Sequence, residues 1–261
     1  MRQPITFRGG RRPHDDNRPH IKLADVLDSK LPPPPASSDW LSDVPPYGWG
    51  MLGNDQLGDC TVAGVGHKRI GDVWSNQGTL LEVTTAEVVS FYENFGYRPG
   101  DPNSDQGAVC QTVLETWQKL GFLGEKPLAF AKVNVRSKVE VERAISAFGQ
   151  LYCGFEVPES AMQQFNAGEP WTVAPGSPIE GGHCVTVGGY DADGLKAVTW
   201  GAVQAMSWEF FRKYFSEAWV IVSADDFDPH TGKNKLGLDA TALAAAYRAV
   251  TGRRLGAGTE S

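Results

Sequence analysis

The chain has 261 residues, of which 41% are hydrophobic and 10% are aromatic, and its formal net charge is −7. This length and composition suit one globular domain with a sizeable core, with or without terminal extensions. The negative charge argues against a general nucleic-acid surface, and no apolar run approaches the roughly 20 residues of a membrane span. The N-terminus also lacks the apolar core of a secretion signal. We therefore expect no nucleic-acid partner and no membrane attachment.

The cysteines are spread along the chain without any C-x-x-C motif, which indicates neither a disulfide framework nor a zinc site. They are Cys60, Cys110, Cys153 and Cys184. We expect no metal, no cofactor and a reducing compartment such as the cytoplasm.

Residues 1–47 differ in composition from the rest. They are rich in arginine and contain the proline run 32–35, which favours extended polyproline II. Such a segment buries too little apolar surface to fold alone, although residues 21–27 could form a short helix. We interpret 1–47 as an extended arm, either a flexible tail or a segment that a partner subunit holds.

A turn-forming run of Gly, Asn and Asp ends at Cys60, and apolar residues then recur at helical spacing. This pattern predicts a buried helix from Cys60 to about Trp74. A thiol at a helix start meets free backbone N–H groups and the positive end of the helix dipole, which favour the thiolate. The alternative is that Cys60 is a small buried hydrophobe, as most free cysteines are.

Further helices and one strand are predicted before residue 183. The capping box Thr84-x-x-Glu87 starts a helix that Gly96 ends, and Ser137-x-x-Glu140 starts another that runs to about Phe148. Between them a helix over about 109–120 follows Gly107. Residues 151–157 read as a strand that Pro158 ends, and residues 166–182, which include Trp171, read as a loop.

His183 follows two glycines and begins a pattern in which His183, Val185 and Val187 share one strand face. A hairpin at 191–194 leads to a second strand over 195–200, and a short helix over 207–214 precedes a last strand over 217–223. Helices first and an antiparallel sheet afterwards predict an α+β protein whose two lobes meet at a cleft. A histidine here is either a base in that cleft or a satisfied core residue.

The C-terminal part, 225–261, contains an acidic stretch that lacks the spacing of a calcium loop. We interpret residues 225–235 as a solvated loop. Asp239 is predicted to cap a helix from Ala240 to about Val250.

Asn54, Cys60, His183 and the pair Trp200-Gly201 together resemble the papain-like cysteine peptidase superfamily. Its pattern is an amide donor six residues before a cysteine at a helix start, then a histidine that opens a strand, then Trp-Gly. The resemblance covers about 48–223 and is strongest to uncharacterised papain-fold proteins of bacteria and phages. It implies a papain-like domain over 48–224, with a helical lobe at 48–130 and a sheet lobe at 131–224.

The resemblance also implies roles for individual residues. Cys60 would be the nucleophile and His183 the base, and the oxyanion would be bound by the Cys60 N–H and the Asn54 amide, or by Gln56 in its place. Trp200 would shield the site, and Gly107 and Trp171 would line the groove.

Three residues depart from the pattern or compete with it. Val198 occupies the family's position for an asparagine that orients the histidine, and Val198 cannot accept a hydrogen bond through its side chain, so Asp191 is the candidate in its place. His67 is a rival base, but two helical turns place it roughly 10 Å from Cys60. Asp59 would oppose thiolate formation unless it caps the helix.

Two functions follow from these features. One is a thiol hydrolase of the cysteine peptidase or amidase type, acting on a peptide or amide substrate through Cys60 and His183. The other is a weak or inactive papain-fold subunit of a phage particle or other assembly, located in the virion and bound to protein subunits through the arm and the C-terminal helix. Acyl transfer with the same dyad is a third reading.

Overall fold

A computed structural model describes residues 4–26 and 33–233. Within them lie the α-helices α1 (Leu23–Val26), α2 (Cys60–Gln77), α3 (Thr85–Tyr92), α4 (Cys110–Leu120), α5 (Lys138–Phe148), α6 (Glu159–Ala167) and α7 (Trp208–Tyr214). The strands are β1 (Arg11–Arg12), β2 (Ser38–Asp39), β3 (Ala108–Val109), β4 (Ala129–Val133), β5 (Leu151–Pro158), β6 (Ile179–Tyr190), β7 (Gly194–Thr199), β8 (Ala202–Ser207) and β9 (Phe215–Val222).

An antiparallel sheet forms the centre of the fold, with the strand order β4-β9-β5-β6-β7-β8 and with β2 paired to β6. Because side chains alternate along each strand, the sheet has two apolar faces. Residues of α5, α6 and α7 share one buried cluster with Val185 and Val187 of β6. Residues of α2, α3 and α4 share another with Cys184 of the same strand. The predicted α+β class is confirmed, and helices cover both faces of the sheet.

Local sequence signals predicted the positions of most helices correctly. Thr84 accepts a hydrogen bond from the Glu87 N–H, and the Glu87 carboxylate accepts from the Thr84 N–H, as the capping box predicts. Ser137 likewise caps α5, and Gly78 ends α2 in a left-handed conformation. The helix that begins at Cys60 is therefore confirmed, although it extends to Gln77.

The prediction missed three of the longer elements, and also the two-residue strands β1, β2 and β3. Helix α6 occupies 159–167, directly after Pro158, whose extended backbone starts this helix as well as ending β5. Strands β4 and β8 lie in short segments with weak alternation, and partner strands on the sheet fix them. Such pairings are long-range and leave little mark in local sequence.

The first two acidic residues after β9 are not solvated, so that part of the prediction is wrong, although residues 229–233 are exposed. Asp225 and Asp226 are buried, and their carboxylates pair with Arg69 and Lys68 of α2 at 2.7 and 3.3 Å. The C-terminal helix predicted at 240–250 lies outside the described residues. The described helices include none with the length and apolar character needed to cross a membrane.

The described part of the N-terminal arm packs on the chain's own domain. Residues 33–48 contribute Trp40, Leu41 and Val44 to buried apolar clusters. Residues 4–22 run across the end of β6 and reach β4, where the Lys132 N–H donates to the Ile21 carbonyl at 2.7 Å. The described part of the arm is therefore held by contacts within the chain, and the binding of other subunits through the arm stays a prediction.

Candidate active site

Cys60 is the first residue of α2, and only 1% of its surface is exposed. The backbone N–H groups of Cys184 on β6 and of Gly10 in the arm favour the thiolate form of Cys60. Burial nevertheless raises the pKa of the Cys60 thiol far above its usual value, and these two donors offset only part of the effect. Cys60 is therefore a neutral thiol in this closed conformation.

His183 lies on β6, and its ring is fully buried and fixed on one side. Its Nε2 lies 2.8 Å from Thr199 Oγ1, and Trp200 stacks on the ring with 4.5 Å between centroids. Its Nδ1 has no hydrogen-bond partner among the described residues. Burial lowers the pKa of His183 to about 3, so the imidazole is neutral and only weakly basic in this conformation.

The thiol and the imidazole lie on the sides of the two different faces of β6. Cys184 packs in the cluster that contains Cys60, whereas His183 points to the side of Phe155 and Trp200. In the described residues no hydrogen bond joins Cys60 to His183, since Nε2 bonds to Thr199 and Nδ1 has no partner. Both groups are neutral in this conformation, so they do not form an ion pair.

Thr199 orients the histidine, a role that sequence reasoning missed. The Val198 side chain packs in a separate apolar cluster with Leu41 and Trp49. Asp191 does not orient His183, contrary to prediction, because its carboxylate accepts from the N–H groups of Asp193 and Gly194 in the exposed hairpin turn. The signal for Thr199 was the alternation of β7, which turns residues 198 and 199 to opposite faces.

The predicted oxyanion donors lie in the loop before α2. Asn54 Nδ2 donates to Asp59 Oδ1 at 3.2 Å, and Gln56 is exposed. Asp59 makes no side-chain cap to α2. Burial raises the pKa of Asp59 to about 8, which keeps this carboxyl largely neutral at pH 7, and its expected opposition to a thiolate is correspondingly weak.

A network that sequence reasoning also missed holds this loop beside Gly107. The Asp105 carboxylate accepts from the Gly58 N–H at 3.0 Å and from the Tyr92 hydroxyl at 2.7 Å. The Tyr92 oxygen in turn accepts from the Gly107 N–H at 2.8 Å. Asp105 therefore fixes the spacing between the Cys60 loop and the predicted groove glycine.

Of the two predicted groove residues, one lies against the arm and one does not. Gly107 has φ +67°, and a Cβ there would overlap the Gly10 carbonyl of the arm. Trp171 is wholly buried, with its Nε1 donating to the Ala161 carbonyl at 2.9 Å, so its placement in the groove is wrong. It supports the site from behind by packing on Trp200, with 6.2 Å between ring centroids.

The arm closes the cleft over Cys60. The Gly10 N–H donates to the Gly182 carbonyl at 3.2 Å, and the Gly10 carbonyl accepts from the Ala108 N–H at 2.8 Å. Phe7 places its ring edge on His183 and Trp200, with 5.9 and 6.4 Å between centroids. The arm backbone therefore runs between the two walls of the cleft and excludes solvent from both reactive groups.

The rival base, His67, lies elsewhere in the core. Its Nε2 lies 3.0 Å from the Gly50 carbonyl, and burial lowers its pKa to about 4. It packs on Trp49 and has a structural role. Among the described residues, no cluster of three or more His, Cys, Asp or Glu side chains could hold a metal ion.

Comparison with solved structures identifies the fold. Xylellain, a cysteine protease from Xylella fastidiosa, aligns with 85% of this chain and 98% of its own, at TM-score 0.62 and 16% identity. Procathepsin B S9 from Trypanosoma congolense aligns with 82% of this chain and 86% of its own, at TM-score 0.59 and 10% identity. The Carica candamarcensis cysteine protease CMS1MS2, in complex with E-64, aligns with 72% of this chain and 98% of its own, at TM-score 0.50 and 16% identity.

These likenesses confirm the papain-like fold that the sequence motifs predicted. No protein-family model matches the sequence, and no curated protein matches it.

Proposed function

We propose that the protein is a papain-like thiol hydrolase of the cysteine peptidase or amidase type, with Cys60 as nucleophile and His183 as base. The observation that carries the proposal is the hydrogen bonding and ring stacking of His183. Its Nε2 is anchored to Thr199 and its ring is stacked on Trp200, while Nδ1 has no hydrogen-bond partner among the described residues. A buried polar atom without a partner is costly, and such atoms are frequent at functional sites.

The chemistry requires the arm to leave the cleft. Hydration would then lower the pKa of Cys60 and raise that of His183, so that the thiol proton can pass to Nδ1. The sulfur attacks the substrate carbonyl, and the amine leaves with the proton from His183. Water, deprotonated by His183, then hydrolyses the thioester and regenerates the thiol. The Cys60 N–H and the Asn54 amide remain the proposed donors to the oxyanion.

The test is alkylation of the native full-length protein by iodoacetamide near pH 6, with mass spectrometry to locate the label. Cys60 should react at least tenfold faster than Cys110 and Cys153, which are also buried, and His183→Ala should remove that advantage. The inhibitor E-64, which the Carica enzyme binds, should label the same residue. Equal rates at all three cysteines would contradict the proposal.

A second candidate is an inactive papain-fold subunit that binds or supports a larger assembly. The observation in its favour is the sealed cleft, in which the thiol is 1% exposed and the imidazole is wholly buried. This candidate predicts that neither iodoacetamide nor E-64 modifies Cys60 under any condition that leaves the protein folded. It also predicts that the protein co-purifies with other subunits.

A further inference from the structure

Asp59 is the N-cap residue of α2, but its side chain does not cap the helix. An aspartate in this position usually accepts a hydrogen bond from the first helical N–H groups, because those groups have no partner inside the helix. The Asp59 carboxyl instead reaches the preceding loop, where its Oδ1 accepts from Asn54 Nδ2 at 3.2 Å. The residue directly before the proposed nucleophile is therefore not used to stabilise the start of the helix.

The protein encloses the side chains of Asp59 and Asn54. Asp59 has no exposed surface, and Asn54 is 3% exposed. Gly53 lies against the second carboxyl oxygen, because a Cβ there would be 2.7 Å from Asp59 Oδ2, and its φ of +90° also favours glycine. Oδ2 has no hydrogen-bond partner among the described residues. A buried polar atom in this state lowers stability, which indicates that Asp59 has a role other than holding the fold.

The Asp59 carboxyl can lie near a developing oxyanion because it is largely neutral. Burial raises the pKa of Asp59 to about 8, the Asn54 hydrogen bond lowers it in part, and the nearby Asp105 carboxyl raises it again. At pH 7 most Asp59 side chains therefore keep their proton. A neutral carboxyl accepts a hydrogen bond from an amide without the repulsion that a carboxylate would exert on a negatively charged tetrahedral intermediate.

The hydrogen bonds of Asn54 leave one of its amide hydrogens available. Asn54 Nδ2 carries two hydrogens, and Asp59 accepts one of them. The second contact of Nδ2, to the Leu57 carbonyl, is 3.5 Å long, beyond the range of roughly 2.7–3.2 Å that is typical of N–H···O bonds. An oxyanion can replace this weak contact while the bond to Asp59 keeps the amide in position.

We propose that Asp59 is a positioning residue, which holds the Asn54 amide in the orientation that donates to the oxyanion of a substrate attacked by Cys60. Asp59 acts through Asn54 and does not touch the substrate itself. This inference rests on the proposed function, because it assigns a role within the same site.

Two reagents that react with the same sulfur separate the orientation of the oxyanion donor from access to the thiol. With iodoacetamide the sulfur displaces iodide from carbon, and no oxyanion forms. With p-nitrophenyl acetate the sulfur bonds to the acetyl carbon, and the resulting tetrahedral oxyanion collapses as the C–O bond to p-nitrophenolate breaks. Both reactions need the Cys60 thiolate and an open path to it, so the ratio of the two rates cancels these requirements. The rates are measured on the full-length protein, and the p-nitrophenolate release by Cys60→Ser is subtracted.

We expect Asp59→Leu, which has a similar volume but no acceptor, to lower the ratio of acylation to alkylation on the order of ten- to a hundredfold. Asp59→Asn, which keeps an acceptor oxygen, should retain most of the wild-type ratio. In an Asn54→Ala background, Asp59→Leu should lower the ratio no further, because Asp59 acts through Asn54. Asp59→Ala serves if Asp59→Leu does not fold.

Three outcomes would overturn the positioning role and leave the hydrolase. They are a wild-type ratio in Asp59→Leu, an equal loss in Asp59→Asn, and a further loss when Asp59→Leu is added to Asn54→Ala. If the wild type releases p-nitrophenolate no faster than Cys60→Ser does, the proposed function fails, and the positioning role fails with it.

Discussion

Two regions of the molecule bury charged side chains, and they differ in what those charges join. In the middle of α2, Lys68 pairs with Asp72 at 2.5 Å, and Arg69 pairs with Asp225 at 2.7 Å. Arg69 also donates to the carbonyls of Phe122 and Leu123 at 2.7 and 2.9 Å. We call this group, with Asp226, the α2 cluster, and it connects α2 to other parts of the domain core.

In the cleft, Arg11 and Glu217 are buried as completely, but the cation belongs to the arm. The backbone around Arg11 is held by the two hydrogen bonds of Gly10 and by the short pairing of β1 with β3. Burial of an ion pair therefore does not reveal whether it joins parts of the core or fastens a separate segment. The connection of each partner to the rest of the structure makes that distinction.

The largest expected effect is on stability at the α2 cluster. Lys68→Met leaves the buried Asp72 and Asp226 without their cation, so the free energy of unfolding should fall by about 3–5 kcal/mol. Denaturant titration measures this loss, and alkylation of Cys60 in the native state should not change. Lys138→Met is the matched control, because Lys138 is half-exposed and 3.7 Å from Glu142, and it should cost only a few tenths of a kcal/mol. Equal stabilities of the two variants would remove the contrast between the regions.

The second expected effect is on the access of alkylating reagents to Cys60 in the cleft. In Gly10→Ala the new Cβ would overlap the Gly58 carbonyl, so the arm should leave the cleft while the core stays intact. Alkylation of Cys60 should rise roughly a hundredfold, equivalent to about 2.7 kcal/mol. The rise should extend toward lower pH than in the wild type, because hydration removes the burial that raises the pKa of Cys60.

Gly9→Ala is the control for this experiment. Its Cβ would meet the Phe7 ring at 3.0 Å, and that side chain can move aside. Its alkylation rate should stay within a few-fold of the wild type. Unchanged labelling in Gly10→Ala would show that the arm does not limit access to the thiol.

The smallest expected effect concerns the position of the imidazole. Thr199→Val removes the hydrogen-bond partner of His183 Nε2 and should lower kcat/KM about tenfold, or the Cys60 alkylation rate by a similar factor. Thr199→Ser, which keeps the hydroxyl, should retain most of the wild-type kcat/KM and alkylation rate. Thr186→Val is the control, because Thr186 lies on β6 with a buried hydroxyl that has no partner among the described residues, and its activity should be unchanged. Equal losses in both variants would indicate a general packing defect.

Local sequence determined the parts of this protein that local physics controls. The capping residues Thr84 and Ser137 satisfy backbone groups within a few residues, so the starts of α3 and α5 can be read directly. The Gly-rich turn before Cys60 and the alternation after His183 likewise indicated α2 and β6, although β6 begins at Ile179, within the predicted loop. From these two elements and the Trp200-Gly201 pair, the papain-like fold could be predicted.

Tertiary structure decided the remainder, because it depends on which distant residues share a space. Thr199 rather than Asp191 reaches His183, since strand pleating and the exposed hairpin direct their side chains apart. Asp225 and Asp226 are buried because they pair with Arg69 and Lys68 of α2, which lie more than 150 residues earlier in the chain. The position of the arm could not be predicted either, since its polar, Gly- and Arg-rich sequence is ordered by contacts with distant residues, such as the hydrogen bonds of Gly10 and the pairing of Arg11 with Glu217.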